Sequence, residues 1–172
     1  MFKKIALLIA SILIVATLWF VGAEVIYARV LTFASNVVLS IGGSDTHLTV
    51  DREDGEDIFR VHTIMDGQEA TYPQKIQTLL YPTIIVLSWQ VFVAFISGAR
   101  TTLRSGKWNV GLFFAFQVLF LLLLTAYYTS SVAAFIYDMM LESFYVIAVV
   151  IIIIDNIRHP VFLSVSQSSD ND

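Results

Sequence analysis

The chain has 172 residues, 57% hydrophobic and 14% charged, with mean hydropathy +0.76 and net charge -4. Soluble domains hold about 45–50% apolar and about 25% charged residues, so this composition excludes a soluble helical domain and points to an integral membrane protein. The absence of cysteine excludes disulfides, thiolate nucleophiles and thiolate-bound metals within the chain. The acidic balance, with no basic patch beside the aromatics, speaks against nucleic acid as a partner.

Residues 5–23, IALLIASILIVATLWFVGA, form the first predicted span, because roughly 18 apolar residues in a helix cross a hydrocarbon core about 30 Å thick. Lys3 and Lys4 precede it, and Trp19 and Phe20 mark its far interface. The same stretch fits a secretory signal peptide cleaved after Val21-Gly22-Ala23. Helical patterning that continues past Ala23 favours a retained span.

That patterning occupies residues 24–41, EVIYARVLTFASNVVLSI. Glu24, Ala28, Thr32, Asn36 and Ser40 recur on one side, with Arg29 and Ser35 beside them, and Ile26, Val30, Phe33 and Val37 fall opposite. This is an amphipathic helix, placed either in the membrane interface or as a continuation of the span packed on other helices. Gly42-Gly43 ends it.

Residues 46–67, THLTVDREDGEDIFRVHTIMDG, alternate with the period of a strand. Asp54-Gly55 is a two-residue type I′ turn signal. That turn sets residue 53 against 56, 50 against 59, and 48 against 61. One face then collects Leu48, Val50, Phe59 and Val61, and the other His47, Thr49, Asp51, Ile58, Arg60 and His62. The prediction is a β-hairpin whose apolar face lies on membrane-proximal helices or a partner. A second turn falls at Met65-Asp66-Gly67-Gln68, and Pro73 restarts a helix leading into span two.

Span two is residues 78–97, with Pro82 opening or kinking its first turns. Span three is residues 110–128, between Trp108 and the Tyr127-Tyr128 pair. The apolar run 143–154 is too short to cross alone, so span four starts near Val132 and takes in Asp138 and Glu142. The tail SVSQSSDND has the composition of a disordered segment. The fold class is therefore membrane all-α: four transmembrane helices, with an extracytoplasmic helix and hairpin between the first two. The expected divisions are residues 1–23, 24–77, 78–157 and 158–172. Lys3, Lys4, Arg100, Arg104, Lys107 and Arg158 all fall on one side of four crossings. By the positive-inside rule that side is the cytoplasm, which puts both termini inside and residues 24–77 outside.

Candidate chemistry is sparse. His47 and His62 face each other in the predicted register and could hold a metal with Asp45 or Asp51; a solvated histidine pair is the alternative. Asp138 and Glu142 are like charges four residues apart, best neutralised by Arg29. They form either an ion pair locking the first and fourth helices or a polar site. Gln90 and Gln117 are isolated amides of the kind that tie membrane helices together. No nucleophile elbow, serine–lysine pair or zinc-protease pattern is present, and no cofactor motif. The expected function is non-catalytic: an inner-membrane accessory or assembly subunit that presents its outer hairpin to another membrane protein or a translocated protein. His47, Arg60 and His62 are the outer contact residues, and Arg29, Asp138 and Glu142 set the bundle. The rival classes are a small transporter or channel subunit, and a membrane-embedded hydrolase or metal enzyme facing outward.

Trp19, the alternation from His47 to Ile64, the Tyr81-Pro82 start of span two and Gln117 in span three together resemble the small membrane proteins associated with exosortases, polytopic enzymes that process proteins bearing a C-terminal sorting segment. Those enzymes are cysteine-dependent, with arginine and histidine partners in the spans. This chain has no cysteine, and Asn156-Ile157-Arg158-His159 follows the last span. The resemblance therefore implies an accessory partner and not the enzyme.

Overall fold

A computed structural model describes residues 2–158 except 66, 67 and 128; the side chains of Thr78, Ala99, Arg100, Thr101 and Glu142 also lie outside the description. The order is α1 (Phe2–Leu18), a wide-turned stretch (Trp19–Ala23), α2 (Glu24–Ile41), β1 (His47–Glu53), β2 (Glu56–Met65), β3 (Gln68–Lys75), α3 (Ile76–Ser97), α4 (Ala99–Thr125) and α5 (Ser131–Arg158). Three stretches are long and apolar enough to cross a membrane: Phe2–Ile41, Leu79–Ser97 and Thr102–Thr125. A fourth exists if Ser131–Leu141 and Ser143–Arg158 count as one crossing; each alone is shorter than the roughly 17 residues a span needs. The predicted polar tail from His159 onward lies outside the described residues.

The chain divides into two compact units. The first comprises, among the described residues, 2–18, Pro82–Phe113 and 145–158. In α1 only Ser11 and Val15 are buried. Ile5, Ile9, Leu13 and Leu18 are exposed, a distribution suited to a helix whose solvent is lipid. Ser11 returns its hydroxyl hydrogen to the Leu7 carbonyl at 2.8 Å, so burial leaves no donor idle. Trp89, Phe92 and Val93 form the core here, packed by Leu7, Leu8, Ile96 and Ile152. Gly98, at φ 80, separates α3 from α4. The link expected between spans two and three is thus a single left-handed residue. Arg100, Arg104 and Lys107 belong to the first turns of α4 and not to a loop, because nothing after Gly98 interrupts helical backbone.

The second unit comprises Trp19–Tyr81 and Phe114–Phe144. Gly22 has φ 131 and ψ 0, a backbone state that ends helical winding between α1 and α2. Gly42 and Gly43 close α2 as the sequence predicts: the Gly42 and Ser44 N–H groups reach the carbonyls of Val38 and Leu39, and Gly43 has φ 66. Asp54 and Gly55 both have positive φ, 51 and 83, as a type I′ turn requires. The register is the predicted one: His47 pairs with His62, Leu48 with Val61, Val50 with Phe59 and Glu53 with Glu56.

The expected hairpin is a three-stranded antiparallel sheet in the order β1-β2-β3. Residues 68–75, expected to lead through Pro73 into a helix, are instead the third strand, with Tyr72 opposite Val61 and Pro73 opposite Arg60. Proline fits this strand because its missing N–H can face outward from a sheet edge. The third strand also meets a physical need, since an isolated hairpin is only marginally stable. The helix then starts at Ile76, and Pro82 lies inside it.

Asn36 ties the sheet to α2. The Asn36 amide donates to the Leu48 carbonyl at 2.9 Å and accepts from the Leu48 N–H at 2.8 Å. It occupies the outer edge of β1 as a neighbouring strand would. Replacing Asn36 with leucine leaves both groups unpaired, and a buried unsatisfied polar group costs about 1–3 kcal/mol. The expected result is faster hydrogen exchange at the Leu48 amide while the Phe59 amide keeps its protection. Unchanged exchange at Leu48 would show that Asn36 does not hold the edge.

Candidate functional site

Two groups of polar side chains stand out, one in each unit. In the second unit the polar face of the sheet carries His47, Thr49, Asp51, Glu53, Arg60 and His62 together, as the period-two pattern dictates. The Arg60 guanidinium bridges two carboxylates, Nε to Asp51 at 2.7 Å and Nη2 to Glu53 at 2.9 Å. Its hydrogen bond to Asp51, ahead of the field of Glu53, raises its pKa above the ordinary arginine value. Lys75 is likewise raised, by its hydrogen bond to Glu56 at 2.7 Å. Arg60 is therefore engaged within the sheet, and a partner would have to compete with two internal carboxylates for it.

His47 and His62 do come together. Their rings stack with centroids 4.6 Å apart and planes 4° from parallel, and His62 Nε2 shares a hydrogen bond with the Thr49 hydroxyl at 3.1 Å. Stacked imidazoles aim their in-plane lone pairs along parallel directions, whereas a shared metal needs them to converge. Among the described residues no group of three or more His, Asp or Glu could hold a metal ion. The pair instead borders a cleft of about 310 Å³ that also includes Asp45, Thr63, Glu69 and Thr71. This cleft runs from the polar face to β3, a strand with no buried residue.

Arg29 and Asp138 do not meet. Both are exposed, and among the described residues no ion pair joins them. The cause is the orientation of α5, which buries Ala133, Tyr137 and Phe144 and so turns Asp138 away from the packed side. Tyr137 stacks on Phe120 at 4.1 Å, and Phe144 meets the same ring edge-on at 4.8 Å. The Glu142 side chain lies outside the described residues. Gln117 fulfils its expected role as a tie: it accepts from the Tyr27 hydroxyl at 2.6 Å and donates to the Leu79 carbonyl at 3.2 Å. That carbonyl lies in the turn before Pro82, where proline disturbs the helical ladder and an amide from another helix can bond a loosened backbone group.

The second group, in the first unit, centres on Asp155. Its carboxylate is 3% exposed and accepts from Trp89 Nε1 at 2.7 Å and from the Ser105 hydroxyl at 2.6 Å. Asn109 donates to the same serine at 3.0 Å. Three helices, α3, α4 and α5, meet on one carboxylate. Gln90 is also buried, with its amide against Gly106, where a Cβ would come within 3.3 Å of Oε1. Neither Gln90 amide atom nor the Ser88 hydroxyl has a hydrogen-bond partner among the described residues. Asp155 carries little sequence signal: it closes an apolar run beside Arg158, and its donors lie 50 and 66 residues away.

Compared with known protein families, with curated proteins and with solved structures, the chain gives no match.

Proposed function

We propose that this protein is a non-catalytic membrane accessory subunit that holds its three-stranded sheet out to a partner protein. The observation that carries the reading is the contrast between the two sheet edges. Leu48 on β1 is closed by Asn36, whereas β3 is the far edge and has no buried residue. With Pro73 turned outward, Glu69 and Thr71 share its parity and present outward N–H and C=O groups, a short template for strand addition. The cleft beside them, with His47 and His62 at its wall, supplies polar contacts for the added segment. The buried carboxylate of the first unit is engaged by Trp89 and Ser105, which supports a structural role for it over a transport path.

The proposal includes four crossings with both termini in the cytoplasm, and a partner drawn from exosortase-type sorting: a polytopic enzyme or a protein with a sorting tail. Purification of tagged protein from native membranes in mild detergent, followed by mass spectrometry, tests the partner. A polytopic enzyme or sorting-tailed proteins are expected in the eluate, and Thr71→Pro, which removes an outward N–H, is expected to lower their recovery at least several-fold while the melting temperature holds. Recovery of the chain alone, as a defined oligomer, would instead favour a self-contained channel, transporter or enzyme.

A further inference from the structure

The covered stripe of α2 is mostly small and polar, with one large apolar residue: Ala28, Leu31, Thr32 and Ser35 are buried, and Asn36 holds the sheet. Its apolar stripe, Ile26, Val30, Phe33, Val37 and Ile41, is between 43 and 83% exposed. In water such a stripe has no stable place. We propose that α2 lies in the plane of the membrane surface, with this stripe in the acyl chains of the leaflet on the sheet's side and the sheet above it in water. The occupant is phospholipid, and the placement goes beyond the partner-docking reading without depending on it.

Three further observations carry the placement. The apolar run from Phe2 to Ile41 spans 40 residues, about 60 Å of helix against a hydrocarbon core of about 30 Å. One straight crossing cannot use it all, and Gly22, at φ 131, breaks the helical backbone between its two parts. The sheet on the buried side of α2 bears Arg52, Glu53, Asp54 and Glu56, charges that belong in water. That side of α2 therefore faces away from the hydrocarbon. Finally, the exposed stripe contains no acidic residue, and its one flanking charge is exposed Arg29, one turn from both Ile26 and Phe33. An arginine at the edge of an apolar stripe reaches headgroup phosphate while its stem stays in the chains.

The chain has no cysteine, so single cysteines can carry an environment-sensitive fluorophore without background. Phe33→Cys and Val37→Cys, with Val30→Cys in reserve, are labelled in vesicles of phosphatidylcholine and phosphatidylglycerol; Glu53→Cys is the control. At the two α2 positions, lipids spin-labelled near the headgroup should quench at least twofold more than lipids labelled deep in the chain, and aqueous iodide should quench weakly. The control should show the reverse. Stronger quenching from the deep label would make α2 part of a crossing and overturn the proposal. Iodide quenching without lipid quenching would place the stripe in water and overturn it as well. Protection from both quenchers would mean that protein covers the stripe, a second copy or another chain, and would also reject lipid as the occupant.

Discussion

Replacing Asp155 with leucine is expected to lower the melting temperature of the detergent-solubilised protein by roughly 5–15 °C, taking about 2–4 °C per kcal/mol for a chain of this size. The leucine side chain has the same branched skeleton and is not smaller than aspartate, so the effect is not a cavity. It comes from the Trp89 indole N–H and the Ser105 hydroxyl, which lose their shared acceptor in a region closed to water. A buried unsatisfied donor costs about 1–3 kcal/mol, although hydrogen bonds between membrane helices average about 0.6 kcal/mol with a maximum near 1.7, which pulls the sum toward the lower end. Asp155→Asn should fall between the wild type and leucine, since it keeps one acceptor but turns an amide donor toward one of the two donors. Trp89→Phe in the leucine background should recover part of the loss, because removing both partners leaves nothing unpaired. An Asp155→Leu protein that melts with the wild type would remove the case for this carboxylate as the junction of three helices.

Asp155 also shows where reading along the chain ends. The period-two pattern and Asp54-Gly55 are local, and so the β1–β2 register and its two faces were legible residue by residue. The third strand was not: Gln68–Lys75 has few β-branched residues and a proline, and it pairs because β2 offers an edge, a fact of tertiary structure. Carboxylates in an apolar run were recognisable as costly, which drew attention to Asp138 and Glu142. Packing decides which is buried: among the described side chains Asp138 is exposed and Asp155 is buried with two donors. Gln117 was recognisable as a tie between helices, but its partners, the Tyr27 hydroxyl and the Leu79 carbonyl, are defined only by packing. For α2 the helical period gave both faces correctly and left open which of them the protein covers. Hydrophobicity alone suggests the apolar face, but the sheet covers the polar one through Asn36.

That reversal gives Gly22 a large role, and Gly22→Val is the second substitution expected to have a strong effect. A valine at φ 131 is far from any backbone state a β-branched residue adopts, and such strain costs on the order of 1–3 kcal/mol. Beyond its chain neighbours and the adjoining helix backbone, no heavy atom lies within 4 Å of the position a Cβ would occupy, so the penalty is one of backbone conformation. The chain can relieve it by rewinding Trp19–Ala23 into regular helix, which would shift the start of α2. Tyr27 would then be drawn from Gln117, which holds its hydroxyl at 2.6 Å, and Asn36 would be strained against Leu48. The expected readout is twofold: a melting temperature lower by several degrees, and faster amide exchange at Leu48, more than ten residues away along the chain. Gly22→Ala should move both in the same direction by less, because alanine lacks the branch at Cβ. If the valine protein keeps wild-type melting and Leu48 protection, the interruption at Gly22 is incidental, and the position of α2 must be set by its contacts with the sheet alone.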